Sequence, residues 1–189
     1  MFDFFVQLDW SLFRLINVSG HVPMLDHFFM TITDLHKTDA ARFVVLPLLV
    51  LGSFWWGRWQ TLKGLLVLSF VVGACDFTNH RLVKPLVGRS RPFLVKEVGA
   101  SLRLPYEPGG FSFPSNHAIN SMAGVLVASA YVPPLGPILI PYAVMVGYSR
   151  PYLGVHFPSD IVFGCLLAWI ICYATIWFLR RKVPSWAQK

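Results

Sequence analysis

Long uncharged apolar runs alternate with short clusters of charge along this chain. Between Arg42 and Arg58 lies FVVLPLLVLGSFWWG, with no charged residue in it. A second run begins after Lys63 and continues at helical spacing to about Val87, interrupted only from Asp76 onward. No residue from Pro108 through Ser149 is Asp, Glu, Lys or Arg, and Pro133-Pro134 with Gly136 divides that stretch in two. The last run, Ile161 to Leu179, stops at Arg180-Arg181-Lys182. A helix needs about 20 residues to cross a bilayer core. The pattern therefore predicts an all-α, polytopic transmembrane helix bundle with spans at 41–57, 61–87, 114–132, 134–149 and 158–180. Pro141 is expected to kink the fourth of these.

The first forty residues follow another pattern. Asp3, Gln7, Ser11 and Arg14 recur at helical spacing, while Phe5, Leu8, Leu12 and Ile16 face the other way. That amphipathic arrangement predicts a helix lying in the membrane interface, with a sixth span as the alternative. A second short helix is expected from about Met24 to Asp34, opened by Pro23. The whole chain, 1–189, then reads as one membrane-embedded domain: interfacial helices at 1–40, a bundle at 41–180 and a basic tail at 181–189. Met1 to Phe5 lacks the basic start of a secretory signal, so none is expected.

Composition agrees with a membrane setting. Hydrophobic residues make up 55% of the chain and charged ones 13%, about half the usual share for a soluble domain. The mean hydropathy is +0.57. The net charge of +7 points to anionic lipid and phosphate. No basic helix or aromatic platform suggests nucleic acid. Cys75, Cys165 and Cys172 sit in apolar runs and read as small buried residues.

Five spans put loops 88–113 and 150–157 on one face with the N-terminal helices. The other face receives Arg58, Lys63, Arg180, Arg181, Lys182 and Lys189 without an acidic residue, beside Trp55, Trp56, Trp59, Trp177 and Trp186. Raw counting of basic residues does not favour that face as cytoplasmic, because the loop-rich face carries the remaining Lys and Arg. The undiluted basic excess of its short segments nevertheless places the loop-rich face outside.

Three polar clusters fall on that loop-rich face. Lys84-Pro-Leu-Val-Gly-Arg-Ser-Arg91-Pro92 places a lysine and an arginine seven apart; Pro114-Ser115-Asn116-His117 opens the third span; Ser149-Arg150, His156 and Asp160 enter the fifth. Singly, each has a plain explanation in snorkelling, helix initiation or a satisfied histidine. Together they supply complementary parts of one reaction. Lys84, Arg91 and Arg150 offer fixed positive charge matched to a phosphoryl group. The helix opening near Pro114 offers backbone N–H groups. Two histidines come from different helices, and Asp160 follows His156 by one helical turn. Such a set suits phosphoryl transfer.

These clusters resemble the three motifs of the type 2 phosphatidic acid phosphatase superfamily, Lys-x6-Arg-Pro, Pro-Ser-Gly-His and Ser-Arg-x5-His-x3-Asp. Asn116 stands where that pattern most often has glycine. The resemblance implies that His156 attacks phosphorus, that Asp160 orients its ring, and that His117 protonates the leaving oxygen and later activates water. It further implies that Lys84, Arg91, Ser115, Asn116 and Arg150 bind the phosphoryl oxygens, with no metal and no cofactor. It also implies a bacterial inner-membrane enzyme whose partners are the bilayer and a lipid phosphate, with the site facing the periplasm or cell exterior. Undecaprenyl diphosphate, lipid A 1-phosphate, phosphatidylglycerophosphate and phosphatidic acid are the candidate lipids.

Two expectations come from spacing within this chain. Arg89 could reach a second phosphate or headgroup, or be solvated. Asp76, His80 and Lys84, spaced i, i+4, i+8, could share an inward face on which the first two position the third, or form a structural polar network. Two other functions fit the same pattern: a phosphotransferase that passes the group to another lipid, and a non-catalytic bundle that binds or moves phospholipid. The soluble vanadium haloperoxidases share the motif set, but the apolar spans fit them poorly.

Overall fold

A computed structural model describes residues 2–35 and 38–183. Trp186, Lys189 and the tail beyond 183 lie outside the described residues, as does the side chain of Trp56. The described residues form helices joined by turns and loops. Helix α1 (Phe2–Arg14) runs into a π turn at Leu15–Ser19, and α2 (Met24–Thr33) follows. A π turn at Ala41–Val45 leads into α3 (Leu46–Thr78), which breaks helical geometry at Gly57. After another π turn at Asn79–Val83 come α4 (Lys84–Val87), a long loop with two 3-10 turns, α5 (Asn116–Tyr131), α6 (Gly136–Tyr152) and α7 (Pro158–Lys182).

Gly57 ends the first expected span where the sequence places its boundary. By contrast, α6 continues through Pro141 and runs on to Tyr152, past the expected end at 149. Two helices are long and apolar enough to cross a membrane, Gly57–Leu94 and Pro158–Lys182. With 16 and 17 residues, α5 and α6 reach only about 24 and 26 Å at 1.5 Å per residue.

The core lies where α3, α5 and α7 meet. Val67, Val71 and Cys75 pack on Ile119, Ala123 and Val127, with Ala168 and Cys172 closing the third side. Gly164 permits this approach: a Cβ there would stand 2.9 Å from the Ser115 carbonyl and 3.2 Å from the Ala118 methyl. Helices α5 and α7 thus start side by side. Lipid-facing positions are apolar instead of polar, as Leu66 at 64% exposure, Phe70 at 63% and Val162 at 65% illustrate. In water such a surface would be an interaction patch; in a bilayer it is ordinary.

Helix α1 exposes Phe5, Leu8 and Leu12 together with Asp3, Gln7 and Ser11. Its packing face lies between those stripes and consists of Asp9, Phe13 and Asn17, all buried. Phe13 meets Phe157 at 5.5 Å between ring centroids. The Asn17 amide donates to the carbonyls of Ser101 and Tyr152 and accepts from the Ser101 N–H, so one side chain ties the π turn after α1 to the long loop and to the end of α6.

Candidate active site

Each polar cluster of the sequence reaches the same end of the bundle. Lys84 follows directly on the π turn at 79–83 and is 8% exposed. Its ammonium donates to the Phe111 carbonyl at 2.6 Å. Arg91 spreads its guanidinium over the carbonyls of Gly109, Gly110 and Val155 at 2.9, 3.1 and 3.1 Å. Arg150, on the last turn of α6, is 3% exposed and donates to Thr33 Oγ1 at 2.7 Å. The hydrogen bonds of these three cations go to neutral acceptors, while Asp160 acts electrostatically on Lys84 and Arg91, and Asp34 on Arg150.

His156 sits in the loop between α6 and α7, a loop buried throughout. Gly154 makes that loop feasible, with φ +83°; a Cβ there would meet the Ser101 carbonyl at 2.4 Å. Nε2 of His156 lies 3.5 Å from an Arg91 nitrogen, and Nδ1 lies 3.4 Å from Asp160 Oδ2. Burial pushes the His156 pKa down to about 3, with Arg150 and Arg91 acting in the same direction against Asp160. The ring is therefore neutral at pH 7, and Nε2 can carry a lone pair. Burial likewise lowers the Arg91 pKa, opposed by Asp160.

Asp160 is held from several sides. Its Oδ2 accepts from the Phe157 N–H at 2.8 Å, the reach-back expected of an acid in the first turn of α7. The same oxygen accepts from Ser112 Oγ, and Oδ1 accepts from Arg89 at 2.8 Å. Ser115 caps α5 without using its hydroxyl on the helix, and its Oγ is buried without a hydrogen-bond partner. The Arg150 Nε is in the same state. Burying polar groups unpaired is costly, so these two atoms mark where a ligand would complete the site.

Two of the expectations are corrected. Arg89 is partly exposed, and its guanidinium is taken up by partners within the protein. Its guanidinium binds Asp9 at 2.6 Å, Ser159 Oγ at 2.7 Å and Asp160, and it stacks on Phe157 at 3.9 Å from the ring centroid. Nor do Asp76 and His80 position Lys84. In the π turn the Lys84 N–H reaches the Asn79 carbonyl five residues back, so each turn holds more residues and the expected i, i+4, i+8 register is broken. Lys84 consequently turns inward while His80 is exposed. His80 bonds instead to the Asp76 carbonyl and to the Asn116 amide, each at 3.1 Å.

Asn116 therefore spends its amide within the protein, on His80 and on buried Asn79. His117 lies in the first turn of α5, and its Nε2 is 3.3 Å from Asp34 Oδ1. The sequence reading missed Asp9, Thr33, Asp34, Asn79 and Ser112. Of these only Ser112 lies near a motif, and no spacing tied the others to the site. Among the described residues no group of three or more His, Cys, Asp or Glu side chains is placed to hold a metal.

Residues 64–184 match the PAP2 superfamily. The chain belongs to that superfamily. It is 28% identical over 197 residues to the lipid A 4'-phosphatase of Bacteroides thetaiotaomicron, covering 100% of this chain and 84% of that protein. It is 30% identical over 178 residues to phosphatidylglycerophosphatase B of Bacillus subtilis, covering 88% and 81%. Its fold is similar to the crystal structure of a transmembrane PAP2 type phosphatidylglycerolphosphate phosphatase from Bacillus subtilis, with a TM-score of 0.65, 24% identity, and 94% and 86% of the two chains covered. Like its PAP2 relatives, the chain is a phosphoric ester hydrolase.

Proposed function

We propose that this PAP2 protein hydrolyses a lipid mono- or diphosphate at the outer face of the bacterial inner membrane through a phosphohistidine. The candidate lipids are undecaprenyl diphosphate, lipid A 1-phosphate, phosphatidylglycerophosphate and phosphatidic acid. The observation that carries this reading is the group of Lys84, Arg91 and Arg150, all buried, around a neutral imidazole. Asp160 and Asp34 offset part of this buried positive charge; burying charge is unfavourable, and a phosphoryl group would relieve the excess.

In the reaction, His156 Nε2 attacks phosphorus and the P–O bond to the lipid breaks. His117 gives a proton to the departing oxygen. Water then attacks the phosphohistidine while His117 takes its proton, and the P–N bond electrons return to His156. Asp160 holds Nδ1 and balances the positive ring. Lys84, Arg91, Arg150 and Ser115 Oγ stabilise charge on the phosphoryl oxygens. Asn116 adds the backbone N–H at the start of α5.

The chain acts as a single membrane-embedded unit with five spans, counting α3 as two that meet at Gly57. Helices α1 and α2 lie in the interface. The basic and tryptophan-bearing end, with Arg58, Lys63 and Arg180 to Lys182, faces the cytoplasm. A panel of the four lipids, assayed for phosphate release without an added acceptor, tests the reading. Release by wild type and none by His156→Ala is the expected result. Equal release by both proteins on every lipid would overturn it.

A further inference from the structure

The C-terminal end of α2 meets the site through two consecutive residues. Thr33 Oγ1 accepts from the Arg150 guanidinium at 2.7 Å, and Asp34 Oδ1 lies 3.3 Å from His117 Nε2. Asp34 also acts electrostatically on Arg150 and on Tyr142, both from α6. Side-chain exposure is 25% for His117 and 27% for Asp34. Partly exposed ion pairs add little to stability. An 83-residue separation is also a poor way to gain so little. The pair makes physical sense as a device that orients a ring.

We infer that Asp34 is a positioning residue for the general acid–base: it holds His117 Nε2–H, so that proton exchange with the lipid oxygen and with water runs through Nδ1. This rests on the reading of His117 given above. When the P–O bond breaks, Nδ1–H passes its proton to the leaving lipid oxygen and the ring becomes neutral, with Nε2–H still on the carboxylate. When water attacks the phosphohistidine, Nδ1 takes one water proton and the ring is charged again beside Asp34. The carboxylate itself neither gains nor loses a proton. A carboxylate fixing the far nitrogen of a reacting imidazole selects both tautomer and orientation.

The two substrates that test this differ in their need for an acid. Phosphatidic acid in mixed micelles releases an alkoxide that must be protonated, whereas p-nitrophenyl phosphate releases a stable phenolate. Single-turnover cleavage of the P–O bond is measured for wild type, Asp34→Asn, Asp34→Ser, Asp34→Glu and His117→Ala. Asp34→Asn and Asp34→Ser are expected to slow phosphatidic acid cleavage about 10- to 100-fold, with KM changed less than about twofold. Their p-nitrophenol burst is expected to stay within about threefold of wild type, which also reports that the protein is folded. Asp34→Glu should recover most of the rate. Equal losses on both substrates, or no loss on either, would overturn the role of Asp34. If His117→Ala slows both substrates equally, the assignment of His117 as the acid fails instead.

Discussion

Two histidine–carboxylate pairs lie among the three polar clusters of this protein, and they are built differently. His156 and Asp160 are separated by one helical turn, lie 3.4 Å apart and have side chains 4% and 0% exposed. His117 and Asp34 come from α5 and the end of α2, lie 3.3 Å apart and remain about one quarter exposed. Around the first pair every partner is a fixed neighbour: Ser112, Arg89 and the Phe157 N–H on Asp160. A nucleophile benefits from such rigidity, because its attack geometry is preset. A group that must give a proton to a lipid and take one from water needs an open edge. The difference between the pairs is the one that the proposed division of labour requires.

The comparison can be broken most directly at the proposed nucleophile. His156→Ala is expected to lower phosphate release by roughly 10⁴-fold or more in a single-turnover assay, since no neighbour can replace Nε2. Asp160→Asn should cost about 10³-fold, because the amide can present the wrong group to Nδ1. Arg89→Gln or Asp9→Asn reaches the same pair from one contact further out. Each is expected to lower kcat about 10- to 100-fold with little change in KM. Their double variant should lose no more than the worse single one, a non-additivity that a double-variant cycle measures.

Acid sharpens the contrast through stability. The unfolded chain takes up a proton on His156 below its ordinary pKa of about 6.5, while the folded chain refuses one until about 3. Stability linked to this residue is therefore complete above about 6.5 and falls as pH drops toward 3. Thermal melts in detergent between pH 7 and pH 4.5 should fall less steeply for His156→Ala than for wild type. The smallest effect is expected at the far end of the bundle. Arg180→Gln with Arg181→Gln should leave phosphate release within about twofold of wild type, since neither residue belongs to the group of buried cations.

Much of this molecule was legible before any coordinates. The apolar runs predicted α7 at 158–180, and the helix occupies Pro158–Lys182. Gly57 was legible as a boundary because glycine and two flanking charged segments interrupt one long apolar stretch. The three motif clusters were legible because each is compact in sequence. The spacing of Asp76, His80 and Lys84 misled for a definite reason: it assumes a continuous 3.6-residue period, and the π turn at 79–83 breaks it. Arg89 misled because a basic residue beside a motif reads as a ligand contact or a solvated charge. Its partner Asp9 lies 80 residues away, on a helix whose polar stripe gave no hint of an inward acid.

The sequence by itself determined what can be read within a turn or two of helix: the apolar segments, the helix start at Pro158, the start of α5 to within two residues (Pro114 expected, Asn116 observed), and the pairing of His156 with Asp160. Local geometry follows from φ/ψ preference and hydrophobic period, which neighbours along the chain decide. Only the tertiary structure decided which distant acids serve the site, bringing Asp9 to Arg89 and Asp34 to His117. Those contacts depend on where α1 and α2 dock, and docking is set by shape and burial summed over many side chains, so no single spacing records it.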